Sequence, residues 1–230
     1  EWTELMVRGT LSVLSGGSLV TTTNGLEDDA EASGQVTVLG GSFTAGEGSG
    51  VTNDGHILLI DGVIDIPESV LSGRPIADVM AEMVAESFAD LQEALAEGRC
   101  TRVELTRSIS LGRNITLDKD LAIHDGVTLT VPDGRNLTIG SGGSIKMLGT
   151  LAVEAGGTII NEGFIHIAGT LHNEGSYTNM EGSGFEAYGG TVSNAGVFVN
   201  NCHMDMRDAS FVLSSGSFTT YNIGGLFFAD

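Results

Sequence analysis

Residues 143–173 read GSIKMLGTLAVEAGGTIINEGFIHIAGTLHN, and one phrase occurs in them twice. Ile145-Lys-Met147 followed by Thr150-Leu151 returns as Ile165-His-Ile167 followed by Thr170-Leu171. Outward from there, Ser110 to Phe211 repeats about every twenty residues. One column holds a small hydroxyl and then an apolar residue: Ser110-Leu111, Thr130-Val131, Thr150-Leu151, Thr170-Leu171, Thr191-Val192 and Ser210-Phe211. A second column is Val103, Ile123, Ile145, Ile165, Phe185 and Met204; a third is Leu117, Ile139, Ile159, Tyr177, Val197 and Phe218. Inside each phrase apolar and other residues alternate, as in Leu151-Ala-Val153, which puts the apolar set on one side of a strand. Glycine pairs such as Gly156-Gly157 and Gly189-Gly190 mark the corners between strands.

Three apolar columns on one period predict three short strands per repeat. A single repeat cannot enclose its own apolar face, but stacked coils bury one continuous interior and pair their backbones. The expectation is an all-β chain, a three-sided parallel solenoid of about twenty residues per coil.

On these columns the chain resembles the pectin-lyase-like superfamily of right-handed parallel β-helices, in the manner of a bacterial surface protein. Ser87-Phe-Ala-Asp-Leu-Gln-Glu-Ala-Leu95 adds to the likeness, because it looks like the helical N-terminal cap of that superfamily. The likeness covers roughly the last three-fifths of the chain and is one of fold, which by itself assigns no activity.

Composition narrows the function classes. Ten basic against thirty acidic residues give a net charge of −20, which argues against nucleic acid and anionic membranes as partners. No apolar run approaches the ~20 residues that cross a membrane. Glu1-Trp-Thr-Glu-Leu5 has neither the basic start nor the apolar centre of a leader. The strand-like ending Leu226-Phe-Phe-Ala-Asp230 reads as an excerpt of a longer chain. Cys100 and Cys202 fall about five coils apart, on the order of 24 Å at the ~4.8 Å strand spacing. That exceeds the ~7 Å reach of a disulfide, so two free thiols are expected.

Residues 1–86 are read as a β-rich N-terminal region, and residues 87–230 as capping helix and β-helix. In the first, Thr10–Val13, Ser18–Val20, Gln35–Val38, Ser42–Thr44 and His56–Ile60 read as strands. Asn24-Gly25 and Asp54-Gly55 read as turns, and residues 27–33 as a solvated loop. Leu11 to Val36 and Leu19 to Phe43 are each about one coil apart, so residues 1–66 either continue the solenoid or form a separate β-subdomain. Ile76, Val79, Met80, Met83 and Val84 follow at helical spacing after Pro75 and predict a helix near the end of this region. Ser87 then caps a second helix over Phe88, Leu91, Ala94 and Leu95, ended by Gly98.

The candidate site is an outward row: Lys146, His166, Glu186 and Asp205 each follow an inward residue of the second column. They should lie on one sheet at ~4.8 Å steps, near His203, Arg207 and Asp208. Such a row could bind a saccharide or a divalent metal, or it could be a solvated face of stacked opposite charges. Lyases of the resembled superfamily pair a proton-removing base with carboxylates that hold calcium, and its hydrolases cluster aspartates. The resemblance makes Lys146 and Arg207 candidate bases, yet no sheet carries a dense aspartate cluster. No catalytic residue, cofactor or metal ligand is therefore assigned, and no motif indicates Ca2+.

Other patterns carry less. The Ser/Thr column suggests ice binding, but its neighbouring rank of Ala152, His172, Ser193 and Val212 lacks the second threonine line. Asn161, Asn179 and Asn200 could form an asparagine ladder or could be ordinary turn residues. Asn114-Ile-Thr116 and Asn136-Leu-Thr138 match the N-glycosylation pattern. The expected function is a non-catalytic scaffold or adhesive segment of a secreted or cell-surface bacterial protein, with a carbohydrate or a host or cell-surface protein as partner. The alternative is a polysaccharide lyase or glycoside hydrolase acting along the solenoid face, and a fibre module is a third reading.

Overall fold

The computed structural model describes residues 4–8, 10–13, 18–21, 35–53, 56–67, 69–73, 76–79, 82–221 and 226–229. Every described strand pairing is parallel, and the chain divides into two compact units, Glu1–Ala81 and Glu82–Asp230. The expected turns at Asn24-Gly25 and Asp54-Gly55 and the loop at 27–33 lie outside the described residues.

The first unit is itself a three-sheet solenoid. Glu4–Arg8, Gln35–Leu39, His56–Ile60 and Ala77–Val79 form one sheet. Leu11–Val13, Ser42–Ala45 and Val63–Asp65 form a second, and Ser18–Thr21, Gly50–Asn53 and Leu71–Gly73 a third. Val36, Val38, Phe43, Val51, Ile57 and Leu59 fill its interior. The predicted one-coil pairs are corrected: Leu11 pairs with Phe43 and Leu19 with Val51. The segment between Thr21 and Gln35 lengthens this coil, so that 32 residues separate Thr10 from Ser42. The helix expected over Ile76–Val84 is corrected too, since Ala77–Val79 and Met83–Ala85 are strands. Each pairs its backbone with a neighbouring strand, at Leu58–Ile60 and Val103–Leu105, which overrides a spacing compatible with a helix.

The second unit stacks six coils on three sheets. Sheet one runs through Met83–Ala85, Arg102–Leu105, Asp120–Ile123, Ser144–Met147, Phe164–Ile167, Gly184–Tyr188, Met204–Arg207 and Leu226–Ala229. Sheet two is Ile109–Ser110, Thr128–Val131, Thr150–Val153, Thr170–Asn173, Thr191–Asn194 and Ser210–Leu213. Sheet three is Ile115–Leu117, Asn136–Ile139, Thr158–Asn161, Ser176–Asn179, Val197–Asn200 and Ser217–Thr220. Strands from Thr128 to Asn194 on sheet two alternate part-exposed and fully buried positions, as the period-two pattern requires.

The registers correct three columns in detail. Leu121, not Ile123, continues Val103 to Ile145, and Thr128-Leu129, not Thr130-Val131, stacks on Thr150-Leu151. Leu137 stands in line with Ile159, so Leu117 and Ile139 belong to the neighbouring inward row. The coils differ in length, with 18 residues from Val103 to Leu121 and 24 across the long second coil from Leu121 to Ile145, so a column stepped by twenty from Val103 lands two residues off, on Ile123. A slip of two preserves which side faces inward, and Ile123, Leu117 and Ile139 are all buried. Val197 is a slip of one: it is 47% exposed, and Phe198 takes the inward place.

Two of the inward rows turn from apolar residues to asparagine, one at Asn161 in the third coil and one at Asn173 in the fourth. Asn161 Nδ2 donates to Asn179 Oδ1 at 3.1 Å, and Asn179 Nδ2 to Asn200 Oδ1 at 3.1 Å. A second ladder, absent from the expectation, joins Asn173 Nδ2 to Asn194 Oδ1 at 2.6 Å. The amides also donate to corner carbonyls, Asn173 to Val197 O and Asn194 to Ser217 O, both at 3.0 Å. Those corners are tight: a Cβ on Gly196 would stand 2.1 Å from Gly175 O. Beside the ladders, Tyr177 stacks on Phe198 at 4.6 Å between ring centres, and Phe198 meets Phe218 at 5.6 Å.

The helix Phe88–Ala96 forms as predicted, with Ser87 accepting from Asp90 N and with Leu91 and Ala94 buried. Its last turn has no basic residue of its own. Lys119 of the second coil supplies the cation, donating from Nζ to Ala94 O at 3.0 Å and to Glu97 O. The 9-residue length of this helix is far short of a membrane span. Cys100 and Cys202 are both free and buried.

Two outcomes are expected. Asn179→Ala removes two ladder bonds and strands buried partners, costing about 2–4 kcal/mol of unfolding free energy. The outward Thr178→Ala in the same strand should stay within about 0.5 kcal/mol; paired denaturant midpoints at unchanged slope check the contrast. Burial also pushes the Cys202 thiol up in pKa, so it should resist thiol reagents in the native state. Two thiols should titrate once the chain is unfolded without reductant.

Candidate functional site

Sheet one positions the outward row as the sequence predicts. Lys146 pairs with His166, His166 with Glu186, and Glu186 with Asp205, one per coil. Each sits between two buried residues of its strand, so each side chain projects from the outer face. In this sense the structure brings all four together in a line.

The line is not four free groups. His166 Nδ1 stands 3.6 Å from Glu186 Oε2, and the His166 ring meets the Tyr188 ring edge-on at 5.1 Å. Arg207 holds Asp205 with two nitrogens, Nε to Oδ1 at 3.1 Å and Nη2 to Oδ2 at 2.7 Å. The Tyr188 hydroxyl donates to the same carboxylate at 3.3 Å, while the Arg207 guanidinium lies 5.3 Å over the Tyr188 ring. These bonds, Arg207 first, hold the Asp205 carboxyl below its usual pKa. Loss of water around Tyr188, followed by the charge of Glu186, raises its phenol. Asp205 is therefore an ionised acceptor at neutral pH and a poor proton donor.

The true register extends the row in the other direction, through Ala122 to Glu104. Glu104 is nearly buried, and both Arg102 and the His124 ring close on its carboxylate. Ala122 is the one small residue between Glu104 and Lys146, and the row dips there. The resulting hollow of about 420 Å3 is lined by Arg102, Glu104, Ala122, His124, Lys146 and Leu148, among others. Leu148 is 63% exposed on its rim, and Lys146 makes no ion pair among the described residues. A free ammonium beside an apolar rim suits the acidic group of a ligand, with the hydrophobic part laid against Leu148.

Sequence reasoning found the four row residues and missed Arg102, Glu104, Ala122, His124 and Tyr188. Tyr188 was within reach, since it lies two residues beyond Glu186 and so projects from the same face. Glu104 was within reach too, as the residue that follows Val103, whereas Ala122 was hidden by the two-residue slip that placed Ile123 where Leu121 belongs. Among the described residues no three of histidine, cysteine, aspartate or glutamate gather closely enough to hold a metal ion.

The geometry sets the acid response of Asp205. Its lowered pKa means that its contribution to stability is present above the unfolded value and fades as pH falls through the folded one. Carbon-detected NMR titration should place Asp205 below the ordinary carboxylate range, and Arg207→Ala should return it upward. No protein-family model, curated protein or solved structure matches this chain.

Proposed function

We propose that this chain is a non-catalytic solenoid scaffold or adhesive segment of a secreted or cell-surface bacterial protein, distantly akin to the pectin-lyase-like β-helices. The observation behind this reading is how the acids of the outward row are spent. Asp205 is bonded by Arg207 and Tyr188, Glu186 faces His166, and Glu104 is closed over by Arg102 and His124. Acid–base cleavage of a glycosidic bond needs a proton donor and an acceptor converging on one open position. Here the row's three carboxylates stand never more than one to a coil, with none between Glu104 and Glu186, and each is committed to a neighbour. The face acts by contact, with a carbohydrate or a surface protein reached through Lys146 and the hollow at Ala122.

A polysaccharide lyase or glycoside hydrolase is the second reading, favoured by one observation. Lys146 is an unpaired cation on the edge of that hollow, where a base could meet a bound sugar. Incubation with neutral and acidic polysaccharides, with and without calcium, separates the two. Reducing ends and unsaturated-product absorbance should stay at background. Turnover lost in Lys146→Ala would establish the enzyme instead.

A further inference from the structure

The charges on the second unit's strands are confined to one side. Sheet one carries Arg102, Glu104, Asp120, Lys146, Glu186, Asp205 and Arg207. Not one aspartate, glutamate, lysine or arginine occurs in any strand of sheet two or sheet three. In a chain of net charge −20, outward strand positions free of charge on two whole sheets are a marked departure.

Their outward residues form ranks one coil apart. On sheet two Thr128, Thr150, Thr170, Thr191 and Ser210 stand in one line, and Thr128 N donates to Ser108 Oγ of the preceding coil. On sheet three Thr138, Ile160, Thr178, Val199 and Thr219 do the same. Apolar surface is left open on both faces: Val197 and Val212 are each 47% exposed. Toward the last coils the neutral surface also crosses the corners between these sheets, through Ala195-Gly196 and Ser214-Ser215-Gly216.

We infer that these two faces receive further copies of this chain, so that the protein assembles laterally with the charged sheet outward. Charge chooses the occupant. Two copies meeting through acidic surfaces would bring like charges within the ~8 Å over which salt does not screen them, whereas the strands of the neutral faces bring no acid of their own. Glu174, at the edge of sheet two, is paired with His172 at 3.3 Å. Area sets the order of assembly. Six strands of about four residues give a face of roughly 380 Å2 at strand spacings of ~4.8 Å and rises of ~3.3 Å. One face falls short of the ~800 Å2 per partner of a stable contact, so a dimer through one face is weak. A copy in a closed ring leaves only by breaking contacts on both faces, roughly 760 Å2 in all. Each copy must therefore use both faces on different neighbours, and the assembly holds more than two copies. This goes beyond the scaffold reading and does not depend on what the Lys146 face contacts.

Sedimentation equilibrium of the full chain tests it. The wild type should exceed twice the monomer mass at neutral pH and moderate salt. Thr170→Glu on sheet two and Thr178→Glu on sheet three should each lower the assembly order, with circular dichroism unchanged. Thr170→Lys and Thr178→Lys should do likewise, which separates a buried charge from added acidity, and Lys146→Glu should leave the assembly intact. A wild type that remains monomer or dimer overturns the proposal, as does an assembly surviving either substitution or lost in Lys146→Glu. A monomer that adsorbs to ice or to insoluble neutral glucan through the same threonines also overturns it, and assigns the faces to that ligand.

Discussion

Everything in the second unit depends on backbone pairing between successive coils in strict parallel register. A parallel strand cannot bond to its sequence neighbour through a tight hairpin, so each coil must leave one sheet, turn three corners and return directly above itself. The corners must then stack as closely as the strands. Glycine supplies the clearance, as at Gly169, where a Cβ would stand 2.0 Å from Gly149 O. Asparagine supplies the missing bonds, since its amide can serve the next amide and a corner carbonyl at once. Apolar rows fill what remains, and each fully buried aliphatic or aromatic side chain contributes roughly 1.5–3 kcal/mol.

The fold was legible because alternation and period belong to the sequence itself. Ile145, Ile165 and Phe185 stand in one row as their spacing requires, and Ser87 caps the helix that its position announces. Coil length was harder to read. Corners may hold two residues or four without disturbing the strands, so 18 residues separate Asn161 from Asn179 and 24 separate Asp120 from Ser144. A fixed period cannot follow that, although any error of two leaves the inward side correct. The second asparagine ladder had a signal of its own. Asn161-Glu-Gly163, Asn173-Glu-Gly175 and Asn194-Ala-Gly196 share one corner phrase, an inward amide followed by the glycine that lets the next coil approach.

The site was half legible for the same reason. Row members within coils of about twenty residues were found, and those across the long second coil were lost. What no spacing could tell is how each charge is spent. Asp205 and Arg207 are two apart on one strand and so share a face, but the Tyr188 hydroxyl reaches the same carboxylate only when neighbouring coils are assembled. The hollow at Ala122 likewise exists because a methyl group stands between longer side chains one coil away on either side.

The ladders have a direction. In both, Nδ2 points to the coil that follows and Oδ1 to the coil that precedes, so every amide coil offers an acceptor on one side and a donor on the other. A coil of this kind is a self-contained unit of inheritance. Excise the one containing Asn173 and Asn179, or copy it in tandem, and the amides on either side meet the same partner chemistry as before. The orphaned groups stay where they already are, at Asn161 Oδ1 and Asn173 Oδ1 or their replacements, where the ladders give way to Ile139 and Val153. Polarity along the stack thus lets the length of this protein change by whole turns, in evolution or by design, without any new surface having to be invented.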